Sequence, residues 1–264
     1  MIALLTDFGL DDPFVGEMKG VLLGLHPEAV IVDVTHGIRP GAVREAAWVL
    51  ARSLSAFPDG TVHVAVVDPG VGTERRALAA RCGGRCFVGP DNGVLMTALE
   101  TLGGAAEIRE ITTRELDRRR RGTTFDGRDL FAPAAARLAA GFDLAQLGPE
   151  VQDPVPMPGF APRPVEGGFQ VEVVRVDRFG NVVLAAEEAF LRDTWEDWRG
   201  VSVQCGDVRL EGVRLGYGDV AKGESLLVIG GSGTLEIARN RGSADRTFGL
   251  SAGDLVFLAG PVQD

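Results

Sequence analysis

The residue pattern changes character once, near Asp153, and that change limits what the chain can fold into. Upstream, short apolar runs alternate with stretches of helical periodicity. "MIALLT", "AVIVDVT" and "TVHVAVVDPG" have the length and content of buried strands. "DDPFVGEMKGVLLGLHP" puts Val15, Met18, Leu22 and Leu25 on one helical face, with Asp12 placed as N-cap and Pro13 at the first helical position. "AVREAAWVLARSLSAF" is a second amphipathic helix. Further helices are expected from about Gly93 to Leu102 and over "LFAPAAARLAAG", stopping at Gly141. Residues 1–153 therefore read as an N-terminal α/β domain with a central, largely parallel sheet. "DPVPMPGFAPRPVEGG" is too rich in Pro and Gly to hold a helix, so 154–167 read as a linker. Residues 168–264 bring short, Val-rich segments broken by Gly, such as "FQVEVVRVD", "GVSVQCG", "SLLVIGG" and "DLVFLAG". They predict a smaller all-β domain, a barrel or a sandwich.

Composition removes several functions. The formal net charge is −10, which argues against a phosphate-backbone partner, so no nucleic acid is expected. The one charge run, "RRRR" at 118–121, lacks interleaved aromatics and reads as a solvated loop. The N-terminus carries no basic region followed by a long apolar run, and Asp7 interrupts it early. No signal peptide, membrane span or membrane partner is expected, which places the protein in the cytoplasm. Three cysteines, Cys82, Cys86 and Cys205, are an odd and sparse set that suggests reduced thiols. "RCGGRC" reads as a hairpin turning at Gly83-Gly84, since a zinc site would need further ligands nearby.

Chemistry concentrates at strand ends. "LLTDFG" shares three letters with the magnesium loop of protein kinases, but only six residues precede Asp7, and the kinase parts that belong before it are missing. Asp7 instead ends the first strand, where open α/β sheets place ligands. A second acid, Asp68, ends another strand in "VVDPGVGTERRA". Its glycines let backbone N–H groups face a ligand, and Arg75 and Arg76 lie within reach. Each acid alone reads first as a turn cap; two of them at the ends of parallel strands, one followed by Arg, favour a ligand site. His26, His36 and His63 are scattered, and no pair has metal-ligand spacing. His36 follows "VDVT" and can reach the same strand-end edge. Fingerprints for dinucleotides, P-loops and hydrolase elbows are missing.

Seven segments in register carry a resemblance: "LLTDFGLDDPFVGEMKGV", "IVDVTHGI", "VVDPGVGTERRAL", "FVGPDNGVL", "GRDLFAPAAA", "VDRFGN" and "LEIARNRG". Together they resemble the S-adenosyl-L-methionine hydroxide adenosyltransferase family, related to the fluorinases and chlorinases, over nearly the whole chain. The resemblance implies attack of a nucleophile on C5′ of S-adenosylmethionine with loss of methionine. It implies no cofactor and no metal, and a homotrimer with active sites between the N-domain of one chain and the C-domain of its neighbour.

By the same resemblance, Asp7 accepts hydrogen bonds from the ribose hydroxyls. Phe179 stacks on adenine and Asn181 reads its polar edge. Asp12, Asp177 and Ser232 match positions around the methionine end, and Arg239 and Asn240 lie in the matching C-domain strand. Asp68 and Arg75 match the water-using members; fluorinases have an aromatic residue at the place of Asp68 and an extra loop. The family's water-activating His stands in a "TFHGRD" segment, whereas this chain reads "TTFDGRD", with Asp126 at that place. Three readings follow: a hydrolase releasing adenosine and methionine, a protein that binds S-adenosylmethionine or adenosine without turnover, and a 5′-halogenase.

Overall fold

The computed structural model describes residues 1–103, 106–112 and 124–261, and the arginine run at 118–121 lies outside them. The chain forms two compact units, Met1–Pro158 and Gly159–Asp264. Unit one holds β1 (Ile2–Thr6), α1 (Phe14–Leu25), β2 (Ile31–Thr35), α2 (Val43–Ser53), β3 (Val62–Val66), β4 (Ala77–Cys82), β5 (Arg85–Pro90), α3 (Met96–Thr101), β6 (Glu107–Glu110) and α4 (Ala132–Ala139). Its sheet runs β2-β1-β3-β5-β4-β6. The pairs β1–β2, β1–β3 and β3–β5 are parallel, whereas β4 is antiparallel to both β5 and β6.

Alternation along the strands feeds both faces. Ile2, Leu4, Val62, Val64 and Val66 pack with Met18 and Leu22 of α1 and with the alanines of α4. Ala3, Leu5 and Ala65, on the other side of the pleat, are equally buried, and there α2 packs against α3 and β1. That double burial is why these strands read as continuous apolar runs. The hairpin expected at "RCGGRC" joins β4 to β5, with Gly83 and Gly84 at φ +54° and +74°, a left-handed conformation that favours glycine.

Unit two holds β7 (Arg163–Val165), β8 (Gly168–Val176), β9 (Val182–Glu187), α5 (Glu188–Thr194), β10 (Ser202–Cys205), β11 (Val208–Glu211), β12 (Val213–Arg214), β13 (Ser225–Ile229), β14 (Thr234–Arg239), α6 (Ala244–Phe248) and β15 (Leu255–Ala259). The strand order is β11-β10-β15-β8-β9-β14-β13-β12, with β7 paired to β8, and the sheet curls into a nearly closed barrel. Among the described residues no helix is long and apolar enough to cross a membrane.

Two local expectations change. Helix α1 begins at Phe14, Pro13 occupies the cap at φ −73°, and no side chain caps it. Asp12 is exposed and does not act as N-cap. The segment 154–167 contains strand β7, antiparallel to β8 at its edge. An edge strand tolerates Pro164, because the missing N–H has no ladder partner to serve.

His63 is the polar exception inside unit one. It is fully buried, stacked on Phe87 at 5.2 Å and edge-on to Phe57 at 5.4 Å, and neither ring nitrogen has a hydrogen-bond partner among the described residues. Burial, with a smaller push from Arg85, lowers its pKa from 6.5 to about 4. Between those values the unfolded chain binds a proton that the folded chain refuses. Stability therefore falls as pH drops below 6.5 and levels off below about 4. Urea melts should show the native protein losing about 2 kcal/mol more than His63→Phe between pH 7 and pH 5. Parallel pH profiles for the two proteins would contradict a buried neutral imidazole.

Candidate active site

The strand order decides where a site can form. From β1 the chain crosses to β2 on one side and then to β3 on the other. The two connections diverge there, and such switch points open a crevice beyond the C-terminal strand ends. The register pairs Thr6 of β1 with Val66 of β3, so Asp7 and Asp68 leave the sheet on neighbouring strands. A cavity of about 260 Å³ opens at this edge. Asp7, Asp68 and Asp126 contribute its acids, and Phe8, Phe14 and Phe125 contribute an aromatic wall.

Arg75 organises the acids. Its Nε donates to Asp68 Oδ1 at 3.1 Å and Oδ2 at 2.9 Å, and its Nη2 donates to Asp68 Oδ2 as well. The same Nη2 donates to Asp126 Oδ2 at 2.5 Å. Side-chain exposure is 13% for Arg75, 5% for Asp68 and 10% for Asp126, so the charges meet with little water between them. Burial by itself lowers the Arg75 pKa, but the hydrogen bonds and charges of Asp68 and Asp126 outweigh it and raise the value above the ordinary one. The guanidinium also lies 5.4 Å from the Phe131 ring centroid.

Backbone geometry sets each acid. The turn after Asp68 folds back on it, with Gly70 N donating to Asp68 Oδ1 at 3.2 Å. Asp126 sits at the cap of a π-helical turn, Gly127–Phe131, that leads into α4. One wide turn of this kind shifts the direction of the side chains it carries, and such turns are frequent at functional sites. Asp7 Oδ2 accepts from Gly41 N at 2.8 Å. Behind it, Thr6 Oγ1 meets His36 Nδ1 at 2.8 Å, and His36 Nε2 lies 3.1 Å from Asp33 Oδ1. Burial works against the Asp33 charge, but hydrogen bonds from Lys19 and His36 prevail and lower its pKa. His36 thus reaches the strand-end edge as a buried strut behind Asp7.

No motif in the sequence announces the aromatic wall. Phe8, Phe14 and Phe125 meet edge to face with centroids 5.2–6.0 Å apart. Phe8 and Phe125 adjoin Asp7 and Asp126 in the chain, which is the signal that could have found them. Asp12 is exposed and does not line this cavity.

Unit two carries the remaining residues. The turn from β8 to β9 is built on Asp177. Its Oδ1 accepts from Phe179 N at 2.8 Å and Asn181 N at 2.9 Å, and its Oδ2 accepts from Asn181 Nδ2 at 2.9 Å. The turn presents Phe179 at 78% exposure, a large apolar ring left to water. Asn181 also lies 3.4 Å from Tyr217 Oη, a neighbour the sequence did not flag. Ser232 and Thr234 share a hydroxyl contact at 2.8 Å. Arg239 donates to Gly223 O at 2.7 Å and Thr247 Oγ1 at 2.6 Å, and Asn240 Nδ2 donates to Val220 O at 2.8 Å. The latter two side chains tie β14 to its flanking loops.

The chain thus joins an α/β unit with an acid–guanidinium pocket at its switch point to a β-barrel unit that exposes Phe179, a two-domain class of α/β-plus-barrel proteins. Comparison with known proteins names that class. The SAM hydroxide adenosyltransferase N-terminal domain matches residues 2–148 and the C-terminal domain matches residues 171–257. The chain belongs to the SAM hydroxide adenosyltransferase family. The (R)-S-adenosyl-L-methionine hydrolase of Salinispora tropica is 44% identical over 260 residues, covering 96% of this chain and 95% of the relative. The hydrolase of the same name from Thermus thermophilus is 40% identical, covering 96% of both chains. A fluorinase from Actinopolyspora mzabensis is more distant, at 26% over 284 residues, covering 96% of this chain and 95% of that protein. The crystal structure of an uncharacterized conserved protein from Thermotoga maritima superposes with a TM-score of 0.89 at 39% identity, covering 98% of this chain and all of that one.

The clamp has a direct stability test. Removing Arg75 leaves two buried carboxylates facing one another without their cation. Arg75→Ala should cost about 3–5 kcal/mol in urea unfolding at neutral pH, and Arg75→Lys should cost less because it keeps the charge without the planar fork. An alanine variant as stable as the parent would show that the three groups do not act as a unit.

Proposed function

We propose that the protein hydrolyses S-adenosyl-L-methionine to adenosine and L-methionine, using water as nucleophile at C5′. The observation that carries this is the Asp68–Arg75–Asp126 clamp beside Asp7 at the switch-point cavity, in a chain 40–44% identical to named hydrolases. In the reaction a water oxygen bonds to C5′ as the C5′–S bond breaks. The electron pair stays on sulfur, so the sulfonium becomes the neutral thioether of methionine. The water's proton passes to Asp126 or to bulk solvent. The leaving group is already good, so the main task is to hold water in line, and positioning of that kind supplies roughly 7–11 kcal/mol.

Asp7 is proposed to hold the ribose hydroxyls, and Asp68 and Arg75 the water. Phe179 and Asn181 would take the purine, by stacking and by an amide edge. Asp12, Asp177 and Ser232 are assigned to the methionine end, and Arg239 and Asn240 to the support of β14 around the ligand. Carboxylates at the reacting edge repel halide, which supports water over a 5′-halogenase. The proposal includes a cytoplasmic homotrimer with each site shared between neighbouring chains; sedimentation at the mass of a single chain under assay conditions would contradict it.

Binding without turnover is the second reading, and Asp126 is what favours it, since the carboxylate is tied to Arg75 where relatives of the motif carry an imidazole. Chromatography of S-adenosylmethionine incubated with pure protein separates the two. Adenosine and methionine in equal amounts are the expected products, and neither would form under the second reading. Asp126→His should raise turnover about 10–100-fold, the lower range of general-base contributions. Equal turnover for the parent, Asp126→His and Asp126→Ala would remove position 126 from water activation.

A further inference from the structure

In unit two, the acid that the motifs point to is not the acid left uncommitted. Asp177 uses both carboxylate oxygens to hold its own turn, through Phe179 N, Asn181 N and Asn181 Nδ2. Glu236 on β14 is different. It is only 7% exposed, and its carboxyl has no hydrogen-bond or ion-pair partner among the described residues.

The strand register shows what surrounds it. Arg175 of β8 pairs with Val183 of β9, Val183 pairs with Glu236, and Glu236 pairs with Val228 of β13. These four side chains form one row across four strands and stand on one face. Val183 separates the guanidinium from the carboxyl. At the other end the carboxyl leans over Gly230, where a Cβ would lie 1.7 Å from Glu236 Oε1. A glycine therefore makes room for an acid that has no hydrogen-bond or ion-pair partner among the described residues. Asp177 follows Arg175 by two residues, in the turn that leaves the end of β8.

We propose that Glu236 is the cation-recognition group of unit two, taking the positive charge of a ligand whose purine lies against Phe179 and Asn181. This rests on the reading of the chain as a hydrolase of S-adenosylmethionine, a nucleoside that carries both a sulfonium and an ammonium. Glu236 thereby becomes a specificity determinant: it separates a cationic adenosyl compound from neutral adenosine.

The charged and titratable groups facing Glu236 fix how it would respond. Burial first, and then the charge of Asp177, hold its carboxyl up at about 7, against the pull of Arg175. The Tyr217 phenol is raised by burial and by the same two acids, and it stays neutral in this range. Near neutrality the free protein therefore carries the proton on a large share of Glu236 carboxyls. An arriving cation takes the proton's place: the carboxyl O–H releases H⁺ to solvent and the carboxylate pairs with the ligand. A neutral nucleoside has no charge with which to drive that release.

Calorimetry on the full chain tests this with two probes at pH 6.5, each in two buffers of different ionisation heat. The first probe is sinefungin, a cationic analogue with an amine-bearing carbon in place of sulfur, which cannot lose methionine. The second is adenosine. Sinefungin should release up to one proton per site from the native protein, and adenosine should release none. Glu236→Gln should abolish the release and weaken sinefungin by about tenfold or more, while adenosine affinity changes by less than about threefold. Equal weakening of both probes, or proton release that survives the substitution, would overturn the role of Glu236. Failure of both probes to bind the native protein would sink the hydrolase reading together with this one. Should Glu236→Gln fail to fold, Glu236→Asp keeps a carboxylate and should retain proton release at reduced affinity; an unfolding-free loss of the release would equally overturn the inference.

Discussion

A single guanidinium holds together two carboxylates that would otherwise repel. Asp68 arrives at the end of β3 and Asp126 arrives from the π turn ahead of α4. Arg75, from the loop between β3 and β4, bridges them with little water nearby. The contact therefore ties the sheet to its last helix at the edge where the cavity opens. Each acid has Arg75 as a counter-charge, and the two acids together hold the Arg75 pKa above its ordinary value against the opposing effect of burial. Lysine could supply the charge but not the planar fork that reaches two acids at once. The register of β1 and β3 then brings Asp7 alongside, so one topological fact and one ion cluster fix the whole polar side of the pocket.

Much of this was legible in the sequence because it rests on local signals. The alternation of strands and helices, the glycine hairpin at Gly83-Gly84 and the acids at strand ends all follow from patterns a few residues long. What escaped depends on contacts between distant segments. Phe8, Phe14 and Phe125 each read as an ordinary apolar residue, and only the fold brings them edge to edge. Glu236 is the one acid of β14, and its burial beside Arg175 and Asp177 appears only in the fold. Asp12 illustrates the reverse: its position before Pro13 has the form of a helix cap, but the backbone enters α1 without using it. Strand β7 hid in a Pro-rich stretch because edge pairing asks so little of the sequence.

In the proposed reaction the two units divide the work by chemistry. Unit one offers a fixed set of charges with an aromatic wall, suited to holding a ribose and a water where a C–S bond breaks. Unit two offers an exposed ring, an amide and an uncommitted acid, suited to a purine that carries a cation. Under that proposal, the departure at Asp126 falls among the groups assigned to the water and leaves those assigned to the rest of the ligand unchanged.

The most direct measurement follows the oxygen. If water held by the clamp attacks C5′, adenosine formed in water enriched in oxygen-18 carries the heavy isotope at its 5′ hydroxyl, and methionine carries none. Mass spectrometry of the two products from a single incubation reads both. Label at the adenosine 5′ oxygen is the predicted result. Unlabelled adenosine, or label found in methionine, would mean that the C5′–S bond is not broken by water at carbon, and the account of this site would be wrong.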